Sequence, residues 1–250
     1  MYPYISIYGH DIPVYTLCAS VGAIVAMAIE CHLLLVSKQF KKYIDYILVS
    51  FIGILIGGKA FGILSTLLSD YNKTGLIILD DILLRSGFVF YGGLIGFLVT
   101  LMLICRIANK PFHEMSGTLG ISIPLFHAFG RVGCYFGGCC YGKISSSWLA
   151  IPYTIVLKED IHLRFPVQIY EAIFEFLMFI TMYLTYKRHS NYRTKVLSIY
   201  LFTYSIFRFF IEFLRGDEIR GIYGLLSFSQ YISIMVFIIS LLYLIRKEKI

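Results

Sequence analysis

Residues 43–68 read YIDYILVSFIGILIGGKAFGILSTLL, and this stretch sets the class of fold. It exceeds the roughly 20 mostly apolar residues that a membrane-spanning helix needs. Asp45 and Lys59 are its only charged side chains. The stretch therefore predicts a helix that crosses a lipid bilayer.

Six further stretches have the length and apolar character of membrane spans, although Gly, Ser and His interrupt the one at 112–129. They cover residues 13–36, 88–107, 112–129, 167–186, 196–214 and 225–245. Together the stretches predict an all-α integral membrane protein with about seven transmembrane helices. We expect residues 1–250 to form a single polytopic domain.

The composition of the whole chain agrees with this prediction. Its 250 residues are 58% apolar and 15% charged, and the mean hydropathy is +0.76. Soluble domains average about 45–50% apolar and about 25% charged. These values exclude a disordered chain, a collagen-like chain and an ordinary soluble enzyme.

The formal net charge of +7 bears on orientation, because Lys and Arg concentrate in short cytoplasmic loops. One set of loops is densely basic, with Lys38, Lys41, Lys42, Arg106, Lys110, Lys187, Arg188, Arg193, Lys195, Arg246, Lys247 and Lys249. The other loops are longer and carry Lys73, Arg85, Arg131, Lys143, Lys158, Arg164, Arg215 and Arg220. We expect the dense set to face the cytoplasm, with the N-terminus outside, the C-terminus inside and an extracytoplasmic cap over residues 130–166. Because the basic residues are divided among loops, no nucleic-acid partner is expected.

Charged residues inside spans are costly and usually face a cavity or one another. Arg208, Glu212 and Arg215 follow each other at i, i+4 and i+7, so they line one helical face, with Tyr204 one turn earlier. One interpretation is an internal ion pair between helices. The other is an anion site, in which the planar guanidinium of Arg208 grips a phosphate.

Residues 130–142 read GRVGCYFGGCCYG and combine five glycines, three cysteines and Arg131. We expect irregular backbone here, which is tolerated at membrane depth only where protein or a watery cavity covers it. Exposed N–H groups beside Arg131 would then form an anion cradle. A second glycine cluster, YGGLIG at 91–96, favours close approach of two helices.

The chain resembles the prolipoprotein diacylglyceryl transferases of the bacterial inner membrane over nearly its whole length. The matching segments are 12–15 (IPVY), 90–96 (FYGGLIG), 130–142, 165–171 (FPVQIYE), 204–217 (YSIFRFFIEFLRGD) and 226–233 (LSFSQYIS). The resemblance implies a transferase of lipoprotein biosynthesis, with its active site toward the outer face. Such an enzyme moves the diacylglyceryl group of phosphatidylglycerol to the thiol of a lipobox cysteine, and glycerol phosphate leaves.

By position, Arg131 and Arg208 resemble the two essential arginines of the family, which would neutralise the phosphate as it leaves. The predicted catalytic residues are Arg131, Arg208, Tyr91 and Cys139. The predicted substrate-binding residues are Tyr15, Gly92, Gly93, Cys134, Gly142, Gln168, Glu171, Tyr204 and Glu212. No cofactor and no metal are expected.

Four positions depart from the family's pattern. Tyr91 stands where the family has the histidine of His-Gly-Gly, and Phe165 replaces a second histidine. Cys134 replaces an asparagine, and Cys139 replaces a glutamate. These departures leave the general base and the acceptor open.

The cysteines of residues 130–142 allow several interpretations. A structural role or a Cys134–Cys139 disulfide in an oxidising outer compartment is favoured. Zinc with His127 as a fourth ligand is an alternative. A third interpretation is that Arg131 depresses the pKa of Cys139 and makes it a nucleophile.

Three functions therefore stay open. The first is diacylglyceryl transfer from phosphatidylglycerol to a lipoprotein precursor. The second is a related transfer to a glycan, a peptide or a lipid hydroxyl. The third is lipid binding without catalysis.

Overall fold

The computed structural model describes residues 3–7, 10–77, 79–155, 160–217 and 222–245. Lys158, Arg220, Arg246, Lys247 and Lys249, which enter the predicted orientation, lie outside the described residues. The helices are α1 (Val14–Val36), α2 (Phe40–Thr74), α3 (Ile82–Arg85), α4 (Phe90–Ile107), α5 (His113–Phe136), α6 (Val167–Arg188), α7 (Val196–Ile211) and α8 (Phe228–Ile245). Two 3-10 turns, Ser190–Lys195 and Glu212–Leu214, flank α7.

Five helical segments in the described part of the chain are long and apolar enough to cross a membrane. They are Val14–Val36, Phe40–Tyr71, Val167–Arg188, Ser190–Leu214 and Phe228–Ile245, and Tyr91–Ile107 is a shorter apolar helix. Their bounds agree with the stretches predicted from the sequence to within a few residues. The chain is thus a helical integral membrane protein, while the count of seven spans stays a prediction.

In the described part of the chain, three short antiparallel hairpins accompany the helices, and the all-α prediction did not include them. They are β1 (Tyr4–Ile7) with β2 (His10–Pro13), β3 (Ile151–Ile155) with β4 (Asp160–Arg164), and β5 (Ile222–Tyr223) with β6 (Leu226–Ser227). In the second hairpin Ile151 pairs with Arg164 and Tyr153 with His162. Ile, Tyr and Thr in β3 favour a pleated strand, and this hairpin lies within the predicted cap.

The chain divides into two compact units. The first comprises Met1–Leu33, Ser116–Ile219 and Ser233–Ile250. Within it, the buried carboxylate of Glu30 on α1 accepts hydrogen bonds from two hydroxyls of α5, Thr118 at 2.7 Å and Ser122. Ser116 of α5 donates to the carbonyl of Thr194 at 3.0 Å. Polar side chains thus tie α5 to its neighbours where lipid offers no hydrogen bonds.

The second unit comprises Leu34–Met115 and Arg220–Ile232, and backbone contact between α2 and α4 dominates it. A Cβ added at Gly57 would lie 2.2 Å from the carbonyl oxygen of Gly92, and one at Gly96 would lie 2.1 Å from that of Gly53. Only glycine permits such an approach. Lys59 of the opening stretch donates to the carbonyls of Leu83 at 2.5 Å and Ser86 at 2.7 Å.

Candidate active site

Helix α5 continues through the first half of the segment for which we predicted irregular backbone. It ends at Phe136, so Arg131 and Cys134 are helical, and that prediction is wrong up to this residue. Gly133 explains the extension, because an added Cβ there would lie 3.2 Å from the Tyr15 Cα and 3.0 Å from the Cys18 Cβ of α1. This glycine serves helix packing. The chain turns only at Gly138, whose φ is +72°.

The predicted cradle of backbone amides is also wrong for residues 137–139, which follow the helix directly. The N–H groups of Gly137, Gly138 and Cys139 donate to the carbonyls of Gly133, Tyr135 and Cys134 at 2.9, 3.3 and 3.2 Å. An anion cradle needs N–H groups that point at the ligand. These three amides are therefore not available to an anion, and the candidates for binding one are the buried side chains nearby.

Those side chains converge from three helices of the first unit. The Nε of Arg131 on α5 lies 2.6 Å from Oε2 of Glu171 on α6. The Nη1 of Arg208 on α7 donates to Oε1 of the same carboxylate at 2.8 Å, and its Nη2 lies 2.7 Å from Oε2 of Glu212. All four side chains are buried. We call Arg131, Glu171, Arg208 and Glu212 the arginine clamp.

The clamp continues to Arg215, as the i, i+4, i+7 spacing predicted. Arg215 lies 3.6 Å from Oε2 of Glu212 and holds Asp217 through two bonds, at 2.8 Å from Nε and 2.5 Å from Nη2. Carboxylates therefore neutralise the buried guanidinium groups of Arg131, Arg208 and Arg215, as the ion-pair interpretation predicted. Because each guanidinium carries five donors, the same groups are also suited to bind a phosphate.

A polar pair, His127 and Glu175, lies beside the clamp, and the sequence did not predict that these two residues meet. The Nδ1 of His127 lies 2.7 Å from Oε1 of Glu175, and Arg131 Nε donates to His127 Nε2 at 3.1 Å. These partners place the ring proton on Nδ1. Tyr200 donates to Oε2 of Glu175 at 3.1 Å. The available signal was helical spacing, since His127 precedes Arg131 by four residues and Glu175 follows Glu171 by four.

Two tyrosines predicted at the site occupy different environments. Tyr204 is fully buried, with its ring edge-on to His127 at 5.2 Å and stacked on Tyr200 at 5.8 Å. Tyr15 begins α1 against Gly133 and is 47% exposed. Tyr204 is thus part of the buried layer next to the clamp, whereas Tyr15 is reachable from outside the protein.

The three cysteines of residues 130–142 come together. The Sγ atoms of Cys134, Cys139 and Cys140 all lie within 4.8 Å of one another. All three are free thiols, so the favoured Cys134–Cys139 disulfide is not formed. His127 is not in this group, because it holds Glu175 instead, so its predicted role as the fourth zinc ligand is wrong.

The prediction that the pKa of Cys139 is depressed is also wrong. Hydrogen bonding with the two neighbouring thiols, lowering from Cys134 and raising from Cys140, combines with partial desolvation of the sulfur to raise the pKa of Cys139 to about 12. Hydrogen bonds from Cys134 and Cys139, helped by Arg215 and Arg131, instead lower the pKa of Cys140. Cys140, and not the predicted Cys139, therefore has the more acidic thiol.

Gln168 and Gly142 fix the position of the loop at residues 137–142, which carries Cys139 and Cys140. The amide of Gln168, in the first turn of α6, donates to the Cys139 carbonyl at 2.6 Å and to the Tyr153 hydroxyl at 2.9 Å. A Cβ at Gly142 would lie 2.2 Å from the Phe165 carbonyl oxygen. The next segment is anchored by a bond from Lys143 N to the Leu214 carbonyl at 2.8 Å. The loop is thus fixed against α6 and the end of α7.

Arg164 is a further buried cation, in addition to Arg131, Arg208 and Arg215, and the sequence placed it only in a loop. Its Nη1 donates to the Gly142 carbonyl at 3.4 Å, and its guanidinium lies 4.9 Å from the centre of the Tyr141 ring. Register in the β3–β4 hairpin places it there, opposite Ile151. Nothing in the local sequence distinguishes it from an exposed loop arginine.

Tyr91, Gly92 and Gly93 belong to the second unit, at the start of α4. Tyr91 is buried, and a Cβ at Gly92 would lie 2.4 Å from the Gly57 carbonyl oxygen. In their own unit the two glycines of this segment allow α4 to approach α2.

The family model described as prolipoprotein diacylglyceryl transferase matches residues 3–246. The phosphatidylglycerol–prolipoprotein diacylglyceryl transferase of Clostridium tetani is 34% identical over 229 residues, 88% of this chain and 89% of that protein. A second such enzyme, from Clostridium perfringens, is 34% identical over 92% of this chain and 91% of its own length. The one from Finegoldia magna is 28% identical over 98% and 94%. With a family match over almost every residue, the chain belongs to the prolipoprotein diacylglyceryl transferase family.

Proposed function

We propose that this protein transfers the diacylglyceryl group of phosphatidylglycerol to the thiol of a lipobox cysteine in a lipoprotein precursor. The names of its relatives state this donor and this acceptor. The observation that carries the proposal is the arginine clamp, where two buried guanidinium groups from different helices meet at one point. A lipid phosphate is the anion that a site of this kind in a membrane protein is suited to bind.

In the proposed reaction the acceptor sulfur attacks the glyceryl carbon that carries the phosphate. A carbon–sulfur bond forms, the carbon–oxygen bond breaks, and its electron pair leaves with glycerol phosphate. The thiol loses its proton in this step, and the additional negative charge on the departing phosphate takes that proton up. Negative charge grows on the phosphate oxygens, where Arg131 and Arg208 stabilise it. Glu171 and Glu212 keep the two guanidinium groups oriented, so little reorganisation is needed when the charge develops.

An apolar crevice of about 340 Å³ gives the donor's acyl chain a place to lie. Tyr4, Ile5, Val14, Cys18 and Phe136 line it. It lies where α1 begins and α5 ends, and Phe136 follows Arg131 by five residues on α5. A lipid whose chain enters this crevice brings its headgroup toward the clamp end of α5.

The proposal includes the topology in the cytoplasmic membrane. Helices α4 and α5 join the five longer segments to make seven spans of one polytopic domain. The basic loops favour an external N-terminus, a cytoplasmic C-terminus and a site toward the outer face, next to the cap at 130–166. Support for the number of spans comes from the agreement between predicted and observed bounds of the helices, apart from the later end of α5.

The direct test uses the purified protein in micelles that contain phosphatidylglycerol, with a lipobox peptide as acceptor. Mass spectrometry should detect a diacylglyceryl group on the cysteine peptide and none on a matched peptide with serine. Arg131→Ala and Arg208→Ala should each lower the rate at least about 100-fold, since each removes a group that stabilises developing charge. Arg85→Ala is the matched control, because Arg85 forms an exposed ion pair with Asp70. Absence of transfer to the cysteine peptide with ample donor would refute the proposal.

A further inference from the structure

The cysteine trio is the feature that the transfer reaction does not use. Cys134, Cys139 and Cys140 bring three sulfur atoms within 4.8 Å of one another, although the first is separated from the others by a helix end and a turn. Three thiols at this spacing are a common ligand set for soft metal ions. We propose that these three cysteines form a binding site for a thiophilic divalent metal ion of the Zn²⁺ class.

The spacing agrees with the bond lengths of such a site. A zinc–sulfur bond of about 2.3 Å places three bound sulfurs about 4 Å apart. The sulfurs therefore need to draw together by less than about 1 Å, which side-chain rotation supplies. Within the described residues, no His, Asp or Glu joins this group. The site thus offers three protein ligands and leaves a fourth position for a ligand from outside the chain.

The backbone that carries the cysteines is already held in the binding arrangement. Cys140 has a left-handed backbone, φ +56°, which is costly for a residue with a side chain. Gln168 donates to the Cys139 carbonyl, and the Cys139 N–H donates back to the carbonyl of Cys134. Hydrogen bonds that orient ligands in this way are typical of metal sites. Cys139 is exposed while Cys134 is buried, which gives an ion a route of entry.

Charge balance favours a divalent ion over a monovalent one. Three thiolates with a divalent ion leave one net negative charge, whereas a monovalent ion would leave two. Because carboxylates already neutralise Arg131 and Arg215 nearby, a divalent ion leaves the smaller uncompensated charge at the three sulfurs. This inference replaces the expectation of no metal, which rested on sequence spacing alone. It is independent of the proposed transfer activity, because binding is measured without donor or acceptor.

The experiment uses the full-length protein in detergent, reduced, stripped of metal with a chelator and titrated with Co²⁺. A thiolate-to-cobalt charge-transfer band should appear and saturate at a single ion per chain, and added Zn²⁺ should abolish it. The variant with Cys134→Ser, Cys139→Ser and Cys140→Ser should lose the band. The matched control with Cys18→Ser, Cys31→Ser and Cys105→Ser should keep it, since those thiols lie on α1 and α4.

The exposed Cys139 allows a milder variant in case the triple change impairs folding. Cys139→Ala should weaken Co²⁺ binding while leaving the elution volume and the thermal unfolding of the stripped protein unchanged. A band that persists when the trio is replaced would overturn the proposal. So would the absence of a band in the reduced native protein, or equal loss in the control variant.

Discussion

At the scale of single residues, Glu171 determines how the clamp is organised. One carboxylate, 1% exposed, contacts guanidinium groups from two other helices. Removing one partner of a buried ion pair leaves charge that neither water nor protein compensates. The stability of the clamp therefore depends on this acidic residue as much as on the arginines.

Glu171→Gln should lower the free energy of unfolding by about 3–5 kcal/mol, because two buried cations lose their shared carboxylate. Thermal unfolding in detergent measures this change. Asp70→Asn is the control, since it breaks the exposed pair with Arg85, and its effect should stay below about 1 kcal/mol. Equal effects of the two variants would show that burial does not govern the clamp.

His127→Phe should destabilise the protein by about 1–3 kcal/mol, because Arg131 and Glu175 each lose one of their two buried partners. The ring keeps its size, so packing changes little. His32→Phe, at an exposed position on α1, should change stability by less than about 0.5 kcal/mol. The same unfolding experiment serves both, and a silent His127 variant would contradict the assignment of the pair.

At the scale of elements, helix contacts rest on glycine where lipid cannot drive helices together. α2 and α4 approach through Gly53 and Gly57 on one side and Gly92 and Gly96 on the other. The YGGLIG cluster predicted close approach, but not which helix would lie opposite. Only the structure shows that α2 is this partner. Gly53 and Gly57 of α2 lie in a stretch that otherwise has the sequence of any apolar span, so they did not stand out.

Gly57→Ala should destabilise the second unit by about 1–3 kcal/mol, because its methyl group would lie 2.2 Å from the Gly92 carbonyl oxygen. Gly87→Ala is the matched control in the same unit, since an added Cβ there meets no atom within 4 Å. Unfolding monitored by circular dichroism in detergent compares the two. If Gly57→Ala were as stable as the control, the backbone contact would not exist.

At the scale of the whole molecule, the proposed topology depends on the distribution of basic residues between loops. Alkaline phosphatase fused after residue 75 should be active, because that loop is expected outside. Fusions after residues 110 and 250 should be inactive, while a green fluorescent protein at residue 250 should fluoresce. The reverse pattern, or activity after both 75 and 110, would contradict the orientation.

The sequence by itself determined the membrane class, the bounds of most helices and the arginines of the site. These follow from local properties, since apolar length defines a span and spacing along one helix defines which residues share its face. The i, i+4 relation of Arg208 and Glu212 was correct for that reason. Even so, local pattern placed the end of α5 too early, because glycines that permit packing look like glycines that break a helix.

Only the tertiary structure decided which groups from different elements meet. Glu171 lies 37 residues from Arg208 in the chain, yet the two share a hydrogen bond of 2.8 Å. His127 and Glu175 also come from different helices and have ring nitrogen and carboxylate oxygen 2.7 Å apart, and Gln168 donates to the carbonyl of Cys139. Such pairs depend on how helices rotate and pack against each other. The arrangement that forms leaves the least buried charge without a partner, counted over all the helices. Because this total depends on every helix at once, it cannot be read from one stretch of sequence.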